Sequence, residues 1–360
     1  MKQLKDFTLR LIAGANIMNI IVMLAVGYSG GVNPASHHFI GIVGLSFPIF
    51  MAINMAFLVF WLCVRKRWAL IPFVGFVLCY GPVRAYWPLN VYKPVPNDCI
   101  KVAYNILSWG EMKPDNPDLS IIDYIGKTNA DIVSLEEASA PAWVREKIDS
   151  ALSQRYPHQD TVLSADKTDD IWLMSKYPIV RKQRIDYESK TNHSAAFWLK
   201  RADDTIIVVA NHLQSTSLSM AERSQFRSFM HGDINHETTR AESHTLYRKL
   251  GKATSERSKQ IDALVRFVEA HKATPLIMCG DFNDSPISYS RQRMASVLND
   301  CYVESGNGPG ISYHRNAFYV RIDYIFCSDH FLPYDCKVDN SISTSDHYPI
   351  VCWLKLRKKT

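Results

Sequence analysis

Polar side chains that suit metal and proton chemistry follow several short apolar segments of this 360-residue chain. Any one of them has an ordinary alternative, because an Asp after a strand usually caps a turn and a lone His is usually a satisfied polar residue. Six such sites are harder to dismiss, since the strand ends of layered α/β folds point at a shared crevice. The residues at the segment ends are Asn105, Glu136, Glu137, Asn211, His212, Asp281, Asn283, Asp323, Asp346 and His347.

The types of these residues indicate metal-assisted hydrolysis of a phosphoester. Carboxylate and amide oxygens, with few histidines and no thiolate among them, suit a hard cation such as Mg²⁺ or Mn²⁺. Two histidines with partner carboxylates suit proton transfer and stabilisation of a phosphoryl oxyanion. The sequence contains no P-loop and no covalent nucleophile stands out, which leaves metal-assisted attack by water.

The elements that must position these residues alternate between strands and helices. Apolar patterns typical of strands cover residues 100–106, 131–135, 171–174, 196–199, 205–211, 275–279, 321–326 and 348–354. Helical spacing covers residues 119–128, 142–155 and 255–271. This alternation predicts an α/β or α+β domain of about 260 residues with one sizeable core.

The order of the polar motifs resembles that of the endonuclease/exonuclease/phosphatase superfamily, the DNase I-like enzymes. The motifs are Tyr-Asn105, Asp-Ile-Val-x-Leu-Glu-Glu137, Ser-Lys-Tyr-Pro178, Asn211-His212-Leu, Gly-Asp281-Phe-Asn283-Asp, Ile-Asp323-Tyr-Ile and Ser-Asp346-His347-Tyr-Pro. The resemblance runs from about residue 100 to 354. It implies a four-layer α/β/β/α sandwich and a metal-dependent phosphoesterase or phosphodiesterase.

The resemblance also implies a metal site. Glu137 would be the principal Mg²⁺ ligand, with Asn105 beside it, and Asp346 would lie by the metal or support its loop. Glu136 stands where the family often has Gln, and we expect it to lie behind the metal ligands. Mn²⁺ is the alternative cation.

Five residues would carry the catalytic chemistry if the resemblance holds. Asp281 would position or deprotonate the attacking water, and Asn283 would hold a phosphate oxygen. Asp323 would orient His347, as a carboxylate fixes an imidazole tautomer. His347 and His212 would flank the phosphoryl group, and His212 and Asn283 would therefore also bind substrate.

Three nearly charge-free stretches fill residues 11–92 and predict three transmembrane helices. Residues 39–64 carry no charge, residues 11–28 are long enough, and residues 68–83 are short unless Arg84 extends to the headgroups. Buried core helices, or a cleavable signal peptide for the first stretch, are the alternatives. We expect a membrane domain at 1–92, a proline-containing linker at 93–98 and a catalytic domain at 99–360.

The basic residues are unevenly distributed along the chain. Lys and Arg total 41 and Asp and Glu total 35, but residues 1–98 hold eight basic and two acidic residues, which leaves 33 of each in the rest. The basic residues flank the first stretch on its N-terminal side and recur at Arg65, Lys66 and Arg67. The positive-inside rule therefore predicts a cytoplasmic N-terminus and, in a bacterium, a multi-pass inner-membrane protein with a periplasmic catalytic domain.

The zero net charge of the predicted catalytic domain affects which class of substrate we expect. This domain would gain little counterion-release affinity for a polyanion, so a small, lipid-linked or sugar phosphoester is favoured over nucleic acid. An extracytoplasmic nuclease that cleaves DNA or RNA is the runner-up. A non-catalytic binding module and a transporter are weaker alternatives, because the expected catalytic residues are present and the three stretches lack acids and bases within them. Nothing in the sequence indicates a protein partner.

Other features are less specific. Residues 215–254 form a polar insertion that could be a lid, a membrane-surface contact or a solvated helical excursion. Trp109 and Tyr313 could line the pocket or belong to the core. We expect Cys279, Cys327 and Cys352 to be thiols of the core rather than parts of a metal site.

The predicted topology can be tested with a reporter fused after Thr360 that is active only outside the cytoplasm. Three crossings from a cytoplasmic N-terminus place this fusion on the non-cytoplasmic side, so we expect an active reporter. Signal from a matched reporter that works only in the cytoplasm would reverse the orientation.

Overall fold

The N-terminal part of the chain is a helical bundle. The computed structural model describes residues 2–37, 40–106, 120–138, 142–167, 169–189, 191–216, 218–219, 221–224, 240–315 and 319–358. The helices of the bundle are α1 (Lys2–Gly27), α2 (Ile40–Val43), α3 (Phe47–Val64), α4 (Leu70–Leu78) and α5 (Tyr80–Tyr86). Short 3₁₀ turns connect them at Ser29–Gly31, Gly44–Ser46 and Lys66–Ala69.

Two helical stretches are long and apolar enough to cross a membrane. They are Gln3–Gly31 and Ile40–Val64, which correspond to the first two predicted spans. The third predicted span is a pair of helices, Lys66–Leu78 and Tyr80–Tyr86, that meet at an angle of 72° and count as one span only when taken together. The described residues therefore contain two candidate spans, or three with the bent pair, where the sequence predicted three.

The bend in the third stretch has a local cause. Pro82 has no backbone N–H to donate to the carbonyl of Leu78, and its ring crowds that carbonyl, so the helix cannot continue straight. The carbonyl oxygen of Leu78 accepts a hydrogen bond from the hydroxyl of Tyr28 at 2.7 Å instead. The bend is therefore fixed by a contact with the first helix.

Polar side chains inside the bundle connect its helices. The amide of Asn16 donates to the side-chain oxygen of Asn54 at 3.2 Å, and the indole of Trp61 donates to Asn16 at 3.3 Å. Asn54 also donates to the carbonyl of Pro72 at 3.0 Å. These bonds join α1, α3 and α4, as polar residues do between helices in a membrane.

The C-terminal part contains two six-stranded sheets among its described residues. The strands are β1 (Ile100–Ile106), β2 (Ile132–Glu136), β3 (His158–Leu163), β4 (Asp170–Ser175), β5 (Ile179–Arg184), β6 (His193–Arg201), β7 (Asp204–His212), β8 (Leu276–Asp281), β9 (Asn299–Asp300), β10 (Asp323–Cys327), β11 (Phe331–Val338) and β12 (Ile350–Leu356). The first sheet has the order β11-β12-β1-β2-β4-β3 and the second sheet has the order β5-β6-β7-β8-β10-β9. β1 pairs with β2, and β7 with β8, in parallel; the other pairs are antiparallel.

The two sheets face each other with a helix layer outside each one. The helices are α6 (Ser120–Thr128), α7 (Ala142–Leu152), α8 (Arg240–Ala270), α9 (Tyr289–Ala295) and α10 (Cys301–Ser305). One core fills the space between the sheets, a second joins α6 and α7 to the first sheet, and a third joins α8 and α9 to the second sheet. The predicted two-sheet α/β architecture is confirmed. Cys279, Cys327 and Cys352 lie in the core between the sheets, as predicted.

Strand periodicity decides which polar residues reach the space between the sheets. In β8, Ile277 and Cys279 belong to the core between the sheets while Met278 faces α8, so Asp281 lies on the inner face at the end of the strand. Ile325 and Cys327 of β10 follow the same rule and place Asp323 on that face. Gly280 permits close pairing of β8 with β7, because a Cβ there would lie 2.1 Å from the carbonyl oxygen of Asn211.

The bundle packs directly on the C-terminal two-sheet part. Ile287, in the loop after β8, is buried in a cluster with Met23, Val26 and Phe47 of the bundle. The buried guanidinium of Arg321 donates to the carbonyl of Ala85. Residues 87–99, all of which the structure describes, contain no helix or strand, in agreement with a non-helical linker. The two parts therefore share a packed interface besides their covalent connection.

Candidate active site

A cavity of about 290 Å³ opens at the rim where β2, β7 and β8 end and β10 begins. The structure brings most of the predicted site residues to it: Glu137, His212, Asp281, Asn283, Asp346 and His347 line the cavity. Asp323 is fully buried and contacts His347. Asn105 lies near the end of β1, beside β2. The side chain of Asn105 and the whole of Trp109 are outside the described part of the chain. The predicted residues thus share one place, while their roles remain predictions.

Two carboxylates and a histidine form the buried centre of this site. Asp281 and Asp323 are paired opposite each other across the antiparallel strands β8 and β10. The ring nitrogen Nδ1 of His347 lies 2.8 Å from a carboxylate oxygen of Asp323. Ligand atoms of all three residues lie within 4.8 Å of one another. The register of two strands therefore forces two acids together, and His347 is positioned against one of them.

This crowding shifts the acidity of the groups. Burial and the neighbouring carboxylate of Asp323 raise the pKa of Asp281 to about 7. Burial alone would lower the pKa of His347, but the carboxylate of Asp323 outweighs it and raises this pKa to about 10. His347 is therefore an imidazolium at neutral pH in the metal-free protein, with Nε2 as its remaining donor.

Asp281 is held from both sides by backbone and side-chain contacts. One of its carboxylate oxygens accepts a hydrogen bond from the backbone N–H of Asn283 at 2.6 Å. Its own N–H donates to Glu136 at 3.3 Å, and Glu136 also accepts from the hydroxyl of Tyr104 at 2.9 Å. Burial raises the pKa of Glu136 well above its ordinary value. Glu136 lies behind Asp281, as expected from the sequence.

A second histidine faces the cavity with its own carboxylate. Nδ1 of His212 lies 3.0 Å from a carboxylate oxygen of Asp169, and its Nε2 lies 3.8 Å from a carboxylate oxygen of Glu137. Burial lowers the pKa of His212, yet the hydrogen bond that its ring donates to the carboxylate of Asp169 raises this pKa above its ordinary value overall. Sequence reasoning missed Asp169. The signal available was its position directly before the apolar strand β4, next to the equally acidic Asp170.

Glu137 and Asn283 reach the cavity because the chain turns sharply at both strand ends. Glu137 has φ of 50° and Asn283 has φ of 49°, left-handed conformations that non-glycine residues adopt rarely. The amide nitrogen of Asn283 donates to the carbonyl of Leu213 at 3.0 Å. That bond uses one of the two amide hydrogens and fixes the side chain, so the other hydrogen is left for a ligand.

The sequence also did not identify two cationic side chains of the cavity, whereas it offered Tyr313 as a residue of the pocket or of the core. Arg257 of α8 is buried, lies 3.4 Å from Asp284 and donates to the carbonyl of Gln214 at 2.8 Å. Arg223 donates to the hydroxyl of Tyr313 at 2.8 Å. The ring of Tyr313 stands edge-on to His347, with centroids 5.0 Å apart, so this residue does line the pocket.

The residues at this rim fit a hard divalent cation. Glu137, Asp281 and Asp346 supply carboxylate oxygens to one cavity, and Asp323 lies just behind it. Burial first, and the carboxylate of Asp323 second, raise the pKa of Asp281 despite the two neighbouring histidines. Oxygen donors of this kind are the ligands that Mg²⁺ and Mn²⁺ prefer.

Comparison with known proteins agrees with this geometry. Residues 90–347 match the model of the endonuclease/exonuclease/phosphatase family, and the chain belongs to that family. It is therefore a metal-dependent phosphoester hydrolase. Residues 9–86 match the model of a domain of unknown function (DUF8431). Comparison with curated proteins finds no match.

Solved structures resemble the catalytic part of the chain. An endonuclease/exonuclease/phosphatase from Beutenbergia cavernae DSM 12333 superposes with a TM-score of 0.52 at 18% identity and covers 72% of each chain. A humanized D. rerio TDP2 that carries 14 mutations superposes with a TM-score of 0.50 at 16% identity, over 71% of this chain and 99% of that one. At such identities the likeness concerns the fold alone, and it confirms the DNase I-like sandwich.

The contact between Asp323 and His347 can be tested by titration of the metal-free protein. We expect Asp323→Asn to lower the pKa of His347 from about 10 towards the ordinary value of about 6.5, because it removes the charge that holds the proton. NMR of histidine-labelled, EDTA-treated protein measures this directly. Asp160→Asn, at a surface carboxylate that pairs with Lys182, is the matched control.

The same contact predicts a dependence of stability on pH. The pKa of His347 is higher in the folded protein than in the unfolded chain, so the contact stabilises the fold fully below pH ~6.5 and loses this contribution as the pH rises towards 10. A titration of His347 that is the same with and without the Asp323 carboxylate would contradict both expectations.

Proposed function

We propose that this protein is a membrane-anchored, Mg²⁺-dependent hydrolase of a small, lipid-linked or sugar phosphoester. The observation that carries the proposal is the convergence of Glu137, Asp281 and His347 on one cavity next to a bundle of membrane-type helices. The cation would be held by Glu137, Asp346 and Asn105, with Mn²⁺ as a substitute. When bound, it would polarise a phosphoryl oxygen and offset the charge of the transition state.

The other side chains have roles that follow from their contacts. Asp281 positions the attacking water and accepts its proton, since the backbone of Asn283 fixes its carboxylate at the cavity. His347, kept protonated by Asp323, donates from Nε2 to a phosphoryl oxygen or to the leaving group. The second amide hydrogen of Asn283 is available to another phosphoryl oxygen.

His212 supports the opposite side of the phosphoryl group. Asp169 holds its Nδ1, so Nε2 points towards Glu137 and the cavity. His212 and His347 thus supply donors from two different sheet positions, which suits charge that spreads over several equatorial oxygens. Neither histidine has to act as a covalent nucleophile in this mechanism.

The placement of the bundle supports a catalytic domain outside the cytoplasm. Arg65 pairs with Asp6, so the basic N-terminus and the basic connection at 65–67 lie at one end of the bundle. The catalytic domain contacts the other end, where Ala85 accepts from Arg321. A basic cytoplasmic end and a catalytic domain at the opposite end agree with three crossings of a bacterial inner membrane.

A nuclease acting outside the cytoplasm is the alternative function. The described surface does not decide against it, but the equal numbers of acidic and basic residues in 99–360 give long polyanions little electrostatic attraction. The cavity of about 290 Å³ is also at the small end of ligand pockets. Both facts favour a compact phosphoester.

A panel of phosphoesters tests the proposal on the detergent-solubilised chain. We expect hydrolysis of phospholipids, sugar phosphates or small phosphodiesters that EDTA abolishes and Mg²⁺ or Mn²⁺ restores. Glu137→Ala should lower this turnover by more than ~100-fold, because it removes the principal cation ligand. Glu146→Ala, at an exposed position of α7, should leave it unchanged.

Two outcomes would contradict the proposal. Cleavage confined to DNA or RNA would establish the nuclease instead. Unchanged turnover in Glu137→Ala would remove the role assigned to Glu137.

A further inference from the structure

The connection between α1 and α3, residues 28–46, takes part in the catalytic cavity. Gly41, Ile42 and Leu45, from α2 and the turn after it, line the same cavity as Glu137 and His347. These residues are remote in sequence from the catalytic domain and lie at the N-terminal end of the stretch Ile40–Val64, which is long and apolar enough to cross a membrane. The wall of the active site is therefore built partly by the membrane region.

This wall is apolar, in contrast to the rest of the cavity. Ile42 packs against the buried side chains of Leu218, Leu246 and Leu250. Leu218 and Leu250 also line the cavity, together with Ile42 and Leu45. The cavity thus combines a group of acids and histidines with a group of aliphatic side chains, and the second group has no role in phosphoryl chemistry.

The segment is seated closely on the catalytic domain. A Cβ on Gly41 would lie 2.4 Å from a methyl carbon of Thr254 in α8. A Cβ on Gly30 would lie 2.2 Å from the carbonyl oxygen of Ile287. Cβ atoms in proteins do not approach other atoms so closely. Glycine at both positions therefore allows this connection to pack directly against the catalytic domain. The aliphatic wall is consequently held at a fixed place beside the catalytic residues.

The level of the segment relative to the bilayer follows from the length of α3. Its 18 residues, Phe47–Val64, rise about 27 Å, close to the hydrocarbon thickness of about 30 Å, so α3 alone can fill this thickness without the first residues of the stretch Ile40–Val64. Residues 40–46 precede α3 at the end that carries the catalytic domain. They therefore lie at the boundary between acyl chains and headgroups, where a lipid presents its phosphoester and the first carbons of its chain.

We propose that residues 40–46 are a specificity element that binds the hydrocarbon chain of a lipid phosphoester while the catalytic residues bind its phosphate. Ile42 and Leu45, with Leu218 and Leu250, contact the methylenes next to the scissile ester. This inference rests on the proposed function and narrows its substrate to esters that carry a hydrocarbon chain. Small and sugar phosphoesters lack the hydrocarbon chain that would contact these aliphatic side chains.

An alkyl series tests this with the full chain in nanodiscs. The probes are methyl and hexyl phosphate and the corresponding methyl and hexyl p-nitrophenyl phosphates, with Mg²⁺ or Mn²⁺. We expect the hexyl ester to exceed the methyl ester in kcat/KM by at least tenfold. Each fully buried methylene contributes about fourfold, so burial of two of the additional methylenes of the hexyl chain is sufficient. The hexyl-to-methyl ratio does not depend on the fraction of folded enzyme, so a variant that folds poorly is still informative.

Variants identify the residues responsible for the preference. Ile42→Ser and Leu45→Ser should each lower the hexyl-to-methyl ratio by at least about threefold. Val32→Ser, at an exposed apolar residue of the same connection that does not line the cavity, should leave it unchanged. Partition of the hexyl ester into the nanodisc is the same for all these proteins, so a change in the ratio reports on the protein.

The outcomes separate this inference from the proposed function. Hydrolysis without a preference for the hexyl ester, or a preference that both serine variants retain, would overturn the inference and leave the phosphoesterase intact. Failure to hydrolyse any of the four esters with either cation would overturn the proposed function, and the inference with it.

Discussion

The site depends on one constraint, which is that two antiparallel strands place Asp281 and Asp323 opposite each other in a buried position. Two carboxylates at this separation repel each other, and burial increases the cost. The contact of His347 with Asp323 offsets part of that cost, and a divalent cation bound at the cavity would offset more of it. The pairing of these two acids would thus explain both the position of His347 and the need for a cation.

The N-terminal helical bundle takes part in the structure of this site. Ile287, a few residues after Asp281, is buried in the bundle, and Arg321, two residues before Asp323, donates to the last helix of the bundle. Both loops next to the central acids therefore pack against the bundle. Since α2 also lines the cavity, the bundle and the two-sheet part form this site together.

Strand periodicity and the motifs made the sandwich and most of the cavity residues predictable. The strands β3 and β5 were missed because polar and charged residues dominate them at the edges of the sheets. Asp169 was missed because a loop brings it to His212 from another sheet, and Ile42 because its place depends on how the bundle sits on α8. The bend of the third stretch follows from Pro82, and a hydropathy profile does not detect such a bend.

Calorimetric titration of Mn²⁺ into the EDTA-treated full chain tests the central claim most directly. We expect saturable binding with release of protons near pH 6, because Asp281 must lose its proton beside the cation. Glu137→Ala should weaken the affinity at least tenfold. Absence of saturable binding, or equal affinity in the variant, would contradict a cation site formed by the acids of this rim.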